Sequence, residues 1–271
     1  MAMDADWLNL KARNSVVERL NDGQPVAALG IRCSRTPDII RIAKATGHHA
    51  VWMDLEHSSM SLDTASVLCN AALDQQLVPF VRIPEREYGV IGRLLDGGAV
   101  GIIAPRIETV AQAEDLVQAC KFPPMGSRSA IGSLPQLEMR RVDAASLNAA
   151  MNRLTVLNVL IETPLGIENM DAMAAVPGVD MISIGTNDLA AEMGVPGDFR
   201  HPRVRQAHEA AIAACRRRGK LLTIGGVPDP AYSAELIRMG AAPFLFTGID
   251  TDILLGACQE RLSAALSTLE S

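Results

Sequence analysis

Residues 156–166 read VLNVLIETPLG, a run of Val, Leu and Ile that Glu162 closes. An almost continuous apolar run of this length is typical of a parallel strand that is covered on both faces. Residues 182–194, ISIGTNDLAAEMG, repeat the pattern, because Asn187 and Asp188 stand where the apolar run stops. Both stretches continue into helical sequence. Together they predict two successive strand–helix units with acidic residues at the strand ends.

The same alternation of strand and helix extends along the chain after a predicted opening helix at 8–20. Eight strand–helix units predict an α/β fold, the (β/α)8 or TIM barrel, and a doubly wound open sheet is the alternative. No low-complexity tract or Pro/Gly/Ser linker divides the sequence, so residues 1–271 are predicted to form a single barrel domain. The predicted strands are 25–31, 50–56, 77–83, 101–107, 155–162, 181–185, 221–225 and 244–249.

Composition and charge exclude several classes of function. The formal net charge of −6 argues against nucleic acid and anionic membranes as partners, because both require a basic surface. The five cysteines are odd in number and show no C-x-x-C spacing, so they predict reduced thiols rather than disulfides or a zinc site. The start of the sequence has no apolar leader and no run reaches membrane-spanning length, so we expect a soluble cytoplasmic protein.

Polar residues at the ends of four predicted strands point to one site. The four ends carry Asp54, Glu56 and His57 in MDLEH, Arg82 in VRIP, Glu162, and Asp188. In a barrel the carboxyl ends of all strands face the same bowl, where active sites lie. Two carboxylates with a few waters make an oxygen-rich site that suits Mg²⁺ or Mn²⁺. Glu162 and Asp188 are therefore the predicted metal ligands.

Structural roles compete with this interpretation for the two acids. Asp188 stands before LAAEM and could be a helix N-cap, an ordinary role for Asp. Glu162 is harder to explain in this way, because Thr163 and Pro164 already supply a cap and a first-turn proline for the next helix. A lone charge at the end of an apolar strand is also costly to bury without a partner.

The second and third strands offer groups for substrate binding and proton transfer. Arg82 could pair with a structural carboxylate, but opposite a metal site a guanidinium can hold a carboxylate or a developing enolate oxygen. His57 lies three residues after Asp54. An Asp–His pair can orient an imidazole for proton transfer, whereas a capping or surface histidine is the alternative.

Two further stretches carry weaker signals. The Gly-Gly of TIGGV, residues 223–227, ends the seventh strand, where barrels often hold phosphate, but a bare Gly-Gly is a weak indication. FPPMGSRSAIG, residues 122–132, opens a connection that runs to about residue 150. Its length predicts a functional loop or lid, in which Arg128 faces either the site or a neighbouring subunit.

These features together resemble the HpcH/HpaI family of metal-dependent class II pyruvate aldolases, which are relatives of citrate lyase β-subunits. The resemblance covers nearly the whole chain in order and spacing, so it is more specific than any single motif. It implies a (β/α)8 barrel of the phosphoenolpyruvate/pyruvate-domain type. The matching stretches are MDLEH, VRIP, GGAVGIIAPRIETVAQAEDLV, FPPMGSRS, IETPLGIENM, ISIGTNDLAAEMG and HPRV.

The resemblance implies a role for each residue of the predicted site. Glu162 and Asp188 would hold a divalent cation, Mg²⁺, Mn²⁺ or Co²⁺. Arg82 would bind the pyruvate moiety, and His57 and Asp54 would form the acid/base pair. Backbone amides near the start of the next helix would receive the substrate carboxylate. The substrate-binding set that follows is Arg82, Leu160, Gly185, Thr186 and Asn187.

The sequence departs from the family pattern at three places. These departures concern the identity of the aldehyde substrate more than the metal-assisted formation of the enolate. Leu160 stands where hydroxy-diacid aldolases of the family tend to carry Gln. By strand alternation it shares the face of Glu162, so an apolar group is predicted to line the pocket. Gly-Thr-Asn-Asp at 185–188 replaces the usual Gly-Pro-Ala/Ser-Asp and is similar to phosphoenolpyruvate-utilising barrels. Ile31 aligns with an aromatic residue that often packs near the substrate.

The predicted site and the resemblance favour an aldolase that cleaves a 4-hydroxy-2-oxoacid to pyruvate and an aldehyde, with aldol addition as the reverse. The alternatives are a CoA-ester lyase of the citrate/malyl-CoA type and a non-catalytic 2-oxoacid-binding barrel. No basic loop suited to the CoA arm is evident, and binding alone needs no proton shuttle. The resemblance implies a hexamer with exchanged C-terminal helices. A homo-oligomer is therefore predicted, and the apolar last helix DILLGACQERLSAAL permits it.

Overall fold

The computed structural model describes residues 5–269 and shows eight parallel strands with helices around them. The strands are β1 (Val26–Ile31), β2 (Ala50–Asp54), β3 (Val78–Arg82), β4 (Gly101–Ala104), β5 (Val156–Ile161), β6 (Met181–Gly185), β7 (Leu221–Gly225) and β8 (Phe244–Ile249). They pair in the order β7-β6-β5-β4-β3-β2-β1-β8. No strand ladder joins β7 to β8 within residues 5–269, although the Ala242 N–H donates to the Leu222 carbonyl at 2.7 Å. The sheet is a nearly closed barrel, so the predicted (β/α)8 fold is confirmed and the open sheet is wrong.

The predicted opening helix at 8–20 is wrong as one element. The structure has two helices there, α1 (Ala5–Lys11) and α2 (Ser15–Asn21). Asn14 separates them, because its backbone is extended and its side chain accepts hydrogen bonds from two N–H groups in the first turn of α2. The other helices are α3 (Asp38–Ala45), α4 (Leu62–Asp74), α5 (Ile91–Asp96), α6 (Val110–Cys120), α7 (Ala144–Leu154), α8 (Pro164–Ala174), α9 (Thr186–Glu192), α10 (Pro202–Arg218), α11 (Pro230–Met239) and α12 (Asp250–Ser267).

Two strands end two or three residues before the predicted end, because the chain turns there into the loops around the cavity. β2 ends at Asp54 rather than at residue 56. The Asp54 carboxylate accepts hydrogen bonds from the N–H groups of Glu56 and His57, which holds a turn there. β4 ends at Ala104 rather than at residue 107, and Arg106 beyond it has a left-handed backbone with a φ of 51°. These turns place polar side chains on the loops that carry active sites in barrels.

The segment predicted to be a functional loop or lid lies at the opposite end of the barrel. Leu134 and Leu137 are fully buried in one apolar cluster with the first residues of several strands. Arg128 is also buried, donates to Asp96 at 2.7 Å and stacks 4.4 Å from the ring centre of Phe122. The lid prediction is therefore wrong, because the apolar residues of the segment plug the amino-terminal end of the barrel. The strand residues of that cluster include Val26, Ala50, Val78 and Val156.

Most of the last helix, α12, is exposed. Its apolar residues Leu255 and Leu262 are 59% and 62% exposed, and Leu245 and Phe246 on the outer strand β8 are also exposed. Asp250, by contrast, is buried at the start of the helix, where its carboxylate binds the loop after β1. Along residues 5–269 no helix combines the length and the apolar composition needed to cross a bilayer.

Candidate active site

The carboxyl ends of the strands enclose a cavity of about 270 Å³ that gathers most of the predicted site residues. Those that line it are His57, Arg82, Leu160, Glu162, Gly185, Thr186, Asn187 and Asp188. Asp54 is not among them, and its side chain is fully buried. The two acids that follow β5 and β6 thus face the same space as the arginine that ends β3.

Glu162 lines the cavity directly after β5, and its carboxylate has no part in capping the next helix. The hydroxyl of Thr163 accepts the Gly166 N–H at 3.1 Å as the N-cap of α8, as the sequence predicted. Glu162 Oε2 accepts the Arg106 N–H at 3.0 Å. A Cβ at Gly185 would lie 2.7 Å from both Cγ and Oε1 of Glu162, so the approach of β6 to this carboxylate requires a glycine.

Asp188 lies in the first turn of α9, and its side chain is exposed to the cavity. The N-cap position of this helix belongs to Gly185, which has no side chain to cap it. The alternative that Asp188 caps the helix is therefore wrong. Its carboxylate is left available for a ligand.

Negative charge accumulates around Glu162, which is only 4% exposed. Burial and the charges of Glu56 and Asp188 raise the pKa of Glu162 to about 7, although the Arg106 N–H opposes the shift. A divalent cation between the carboxylates would relieve this repulsion. In the described part of the chain no group of three or more His, Cys, Asp or Glu side chains is arranged to hold a metal. A two-carboxylate site still fits Mg²⁺, which keeps several waters and binds through one or two carboxylates plus substrate oxygens.

Asp54 organises two arginines. The register of β2 and β3 places it directly beside Arg82, whose Nε and Nη2 donate to Oδ1 and Oδ2 at 3.0 and 2.7 Å. Arg32 Nε donates to Oδ2 at 3.0 Å. Burial favours the neutral acid, but the hydrogen bonds and charge of Arg82 outweigh it and hold the pKa of Asp54 below its usual value. Asp54 is thus a fixed carboxylate that positions both guanidinium groups.

The His57 imidazole lies beside Glu56 rather than beside Asp54. Its Nε2 is 3.6 Å from Glu56 Oε2, whereas Asp54 accepts only the backbone N–H of His57, at 3.1 Å. The predicted side-chain pair of Asp54 and His57 is therefore not formed within residues 5–269, because the two arginines occupy the Asp54 carboxylate. Glu56 Oε2 also lies 3.0 Å from Arg82 Nη1. Burial raises the pKa of Glu56, while Arg82 and His57 oppose the shift.

Sequence reasoning missed the aromatic wall of the cavity. Ile31, which aligns with an aromatic of the family, is fully buried in the core between the sheet and the helices. Trp52 on β2 and Phe246 on β8 line the cavity instead. The Trp52 ring lies 5.3 Å from the Arg82 guanidinium carbon, a cation–π distance. Leu160 contributes the apolar group that strand alternation predicted.

Arg32 was also missed as a site residue, whereas Glu56 was recognised at a strand end without a function. Arg32 follows an apolar strand, so the same strand-end criterion could have identified it. Arg32 comes directly after β1 and lines the cavity. Glu56 was quoted in MDLEH but received no role.

A buried histidine supports the start of α9 from outside the cavity. His208 on α10 places Nε2 3.1 Å from Thr186 Oγ1 and Nδ1 3.1 Å from the Tyr232 hydroxyl on α11. All three residues are fully buried. Burial lowers the pKa of His208 to about 4, so the imidazole is neutral at pH 7. Thr186, which replaces the usual proline of the family, thereby has a fixed hydrogen-bond partner.

The sequence profile of the HpcH/HpaI aldolase/citrate lyase family matches residues 32–257. The chain belongs to this family. It is 41% identical over 250 residues to the 4-hydroxy-4-methyl-2-oxoglutarate aldolase tasA of Hapsidospora irregularis, covering 91% of this chain and 93% of that protein. It is 32% identical over 247 residues to the hydroxypyruvate/pyruvate aldolase of Pseudomonas aeruginosa, covering 91% of each.

A solved HpcH/HpaI aldolase has the same barrel. The crystal structure of this enzyme from Desulfitobacterium hafniense DCB-2 superposes with a TM-score of 0.83 at 27% identity, covering 94% of this chain and 96% of that one. The resemblance seen in the sequence is therefore confirmed over nearly the whole chain. In this HpcH/HpaI family member, the cavity at the carboxyl ends of the strands is the candidate active site.

Proposed function

We propose that this HpcH/HpaI family member is a metal-dependent aldolase that cleaves a 4-hydroxy-2-oxoacid to pyruvate and a second carbonyl compound, and joins them in reverse. The observation that carries the proposal is that Glu162, Asp188 and Arg82 all line one cavity. Relatives at 41% and 32% identity over about nine-tenths of the chain are aldolases, so the chain is a carbon–carbon lyase of the class II pyruvate aldolase type.

The carboxylates of Glu162 and Asp188 would hold the cation, and Mg²⁺, Mn²⁺ and Co²⁺ all suit their oxygen donors. A bound divalent cation supplies Lewis-acid stabilisation of the negative charge that develops on a 2-oxoacid when it becomes an enolate. Burial and the charges of Glu56 and Asp188 raise the pKa of Glu162, and a cation at this site would offset the repulsion part of that shift, which supports the assignment. The Arg106 N–H and the glycine at 185 keep the Glu162 carboxylate in place.

Arg82 is suited to hold the pyruvyl half of the substrate. Its Nε and Nη2 donate to Asp54 at 3.0 and 2.7 Å, and its Nη1 forms an ion pair rather than a hydrogen bond with Glu56 Oε2 at 3.0 Å. A guanidinium has five N–H donors, so three remain for a carboxylate or an enolate oxygen. Because Asp54 and Glu56 fix its plane, Arg82 would act on the developing charge without reorganising.

His57 would move the proton of the cleaved alcohol. Its side chain is 54% exposed at the mouth of the cavity. In the cleavage direction the C4 hydroxyl gives its proton to the imidazole, and the C3–C4 bond breaks as the new carbonyl forms at C4. The bonding pair enters the C2–C3 enolate, and a proton added at C3 completes pyruvate. Glu56 would orient the imidazole in place of Asp54, since its carboxylate is the one beside Nε2.

The remaining predicted residues would shape the pyruvyl pocket. The backbone around Gly185, Thr186 and Asn187 begins helix α9, where N–H groups are free to receive a carboxylate. Leu160 and Trp52 provide apolar walls, which exclude water from the enolate. His208 keeps the start of this helix fixed by its bond to Thr186.

Two other functions share this site chemistry. A CoA-ester lyase of the citrate/malyl-CoA type would use the same metal and arginine, and a non-catalytic 2-oxoacid-binding barrel would use them without turnover. The aldolase relatives favour the aldolase, and His57 at the cavity mouth favours catalysis over binding. We propose small 2-oxoacids and carbonyl compounds as the partners rather than nucleic acid or membrane, in keeping with the net charge of −6.

We also propose that the protein is a homo-oligomer in the cytoplasm, a hexamer by family resemblance. The exposed leucines of α12 and the exposed Leu245 of β8 would cover one another between copies. All five cysteines are free, which suits a reducing compartment.

The direct test is pyruvate release from a panel of 4-hydroxy-2-oxoacids by chelator-treated protein with and without added Mg²⁺, Mn²⁺ or Co²⁺. We expect activity only with metal, loss of activity in Glu162→Gln, and normal activity in the matched surface variant Glu114→Gln. Activity that survives chelation and is trapped by borohydride on a lysine would contradict the proposal. Preferential release of acetyl-CoA from a CoA ester would favour the lyase instead.

A further inference from the structure

The carboxylate of Asp250, the first residue of α12, binds successive backbone N–H groups of the turn after β1. Its Oδ1 accepts the Arg32 N–H at 2.7 Å and the Cys33 N–H at 3.1 Å, and its Oδ2 accepts the Ser34 N–H at 2.7 Å. Burial favours the neutral acid, but the hydrogen bonds from Ser34, Arg32 and Cys33 outweigh it and lower the pKa of Asp250 to about 2. A buried carboxylate thus fixes the turn that carries Arg32.

A bulge in β8 brings Asp250 to this turn. The pairing of β1 with β8 shifts between Ala28 and Gly30, where β8 has one extra residue. In that stretch Gly248 has a φ of 134°, a backbone conformation that favours glycine. A β-bulge bends the strand and re-aims the side chains that follow it. The bulge is therefore part of the geometry that directs the Asp250 carboxylate towards the turn after β1.

The side chains of Arg32 and Arg82 meet on one oxygen of Asp54. Arg32 Nε donates to Asp54 Oδ2 at 3.0 Å, and Arg82 Nη2 donates to the same oxygen at 2.7 Å. Both arginines line the cavity. Two guanidinium groups repel each other, so they stay together only while the backbone keeps each within reach of the shared carboxylate. Displacement of Arg32 would change the charge and the hydrogen bonding of the oxygen that orients Arg82.

We propose that Asp250 is a positioning residue of the active site, which acts through Arg32. By fixing the turn after β1, it keeps the Arg32 guanidinium on Asp54, and this sets the orientation in which Arg82 meets the pyruvyl group. Within residues 5–269, Asp250 is not among the residues that line the cavity, so it touches no substrate itself. The inference rests on the proposed aldolase function. Because Arg82 holds the pyruvyl half, the effect falls on binding of the 2-oxoacid, whichever carbonyl compound is its partner.

The test measures KM for pyruvate in the exchange of its methyl protons in D₂O by the metal-loaded enzyme, a reaction that needs no carbonyl partner. Asp250→Asn keeps the shape of the side chain but replaces one oxygen by an amino group, so one N–H of the turn loses its acceptor. Because a hydrogen bond to a charged group is worth about 10- to 100-fold, KM should rise by about 10-fold or more. Arg32→Gln should raise it by a similar factor. Asp252→Asn, on an exposed acid in the first turn of the same helix, should leave it unchanged.

The double variant that combines Asp250→Asn with Arg32→Gln decides whether Asp250 acts through Arg32. We expect its KM to equal that of Arg32→Gln alone within about twofold, whereas independent effects would multiply. Multiplied effects, or a wild-type KM in Asp250→Asn, would overturn the inference. If Asp250→Asn does not fold, Asp250→Ser, which keeps one oxygen at this position, takes its place in the comparison.

A purely structural role for Asp250 would have a different kinetic signature. It would lower the urea midpoint and, through a smaller folded fraction, the apparent kcat, and would leave KM as in the wild type. That outcome would overturn the inference while leaving the aldolase function intact. A wild type that neither exchanges the methyl protons of pyruvate nor releases pyruvate from any 4-hydroxy-2-oxoacid would instead refute the proposed function, and the inference with it.

Discussion

Two N–H donors of Arg82 are bound to Asp54, and its Nη1 forms an ion pair with Glu56, before any substrate enters. Such an arrangement fixes the plane of the guanidinium and leaves its remaining donors for the ligand. Lysine keeps the charge but has a single point donor, so it cannot bridge both oxygens of Asp54 and still hold a substrate.

Arg82→Lys should therefore lower kcat/KM for pyruvate-forming cleavage by about 100-fold or more, since two-pronged charged hydrogen bonds are lost. Steady-state kinetics measure the effect, and circular dichroism should show an unchanged fold. Kinetics close to those of the wild type would remove Arg82 from the site.

Single residues were predictable where a strand end carried an unexpected charge. Glu162, Asp188 and Arg82 were found in this way, because a charge after an apolar run needs a reason. The pairing of Asp54 with Arg82 was not predicted in this way. It depends on the register of β2 and β3, which places the two residues side by side. Hydropathy patterns locate strands but contain no register, so the sequence favoured the nearer His57.

Helices α9, α10 and α11 are joined through His208, whose buried ring bonds Thr186 and Tyr232. The pKa of His208 is lowered to about 4 by burial, below its usual value of 6.5. The folded protein therefore binds this proton less readily than the unfolded chain. The stability that this histidine contributes is fully present above pH 6.5 and is lost as the pH falls towards 4.

His208→Gln should remove that pH dependence. Between pH 7.5 and 4.5 the free energy of unfolding of the wild type should fall by about 2–3 kcal/mol more than that of the variant. Urea unfolding of both proteins at the two pH values gives these free energies. Groups that titrate alike in both proteins do not affect the difference between them. Equal losses in both proteins would show that His208 is protonated in the folded state.

Helix boundaries were predictable where a capping residue was recognised, and the apolar runs alone gave both ends of β6, β7 and β8. The start of α8 follows from Thr163 and Pro164, as the sequence predicted. The opening helix was predicted as one piece because its apolar spacing continues through Asn14, although the Asn14 side chain caps a new helix. The support of Thr186 by His208 was not predictable, because the two residues lie on successive helices whose packing no local pattern specifies.

At the scale of the whole molecule, the exposed leucines of α12 and the exposed Leu245 of β8 require a cover in water. We predict that the wild type is oligomeric and that Leu255→Glu combined with Leu262→Glu reduces it to single chains. These positions are seven residues apart and share a helix face, so both charges would enter the same interface. Light scattering measures the molar mass of the protein in solution, and so the number of chains in the assembly. Leu10→Glu, a similarly exposed leucine on α1, is the control, and a monomeric wild type would contradict the prediction.

The barrel itself was predictable from the eight apolar runs, since covered parallel strands have little alternation. The absence of a strand ladder between β7 and β8 in residues 5–269 was not predictable, because the residue types of a strand do not show which strand it pairs with. The segment after α6 was misjudged for a related reason. Its length indicated a lid, but Leu134 and Leu137 are buried at the closed end of the barrel.

The central claim is that Glu162 and Asp188 hold a cation that stabilises the enolate of pyruvate, and proton exchange tests it without any second substrate. Pyruvate in D₂O with the metal-loaded wild type should lose its methyl proton signal in the NMR spectrum, because enolisation needs no carbonyl partner. Glu162→Gln should leave the signal intact, and Glu114→Gln should exchange as the wild type does. A methyl signal that remains unchanged for hours with the wild type and Mg²⁺ or Mn²⁺ would contradict the account.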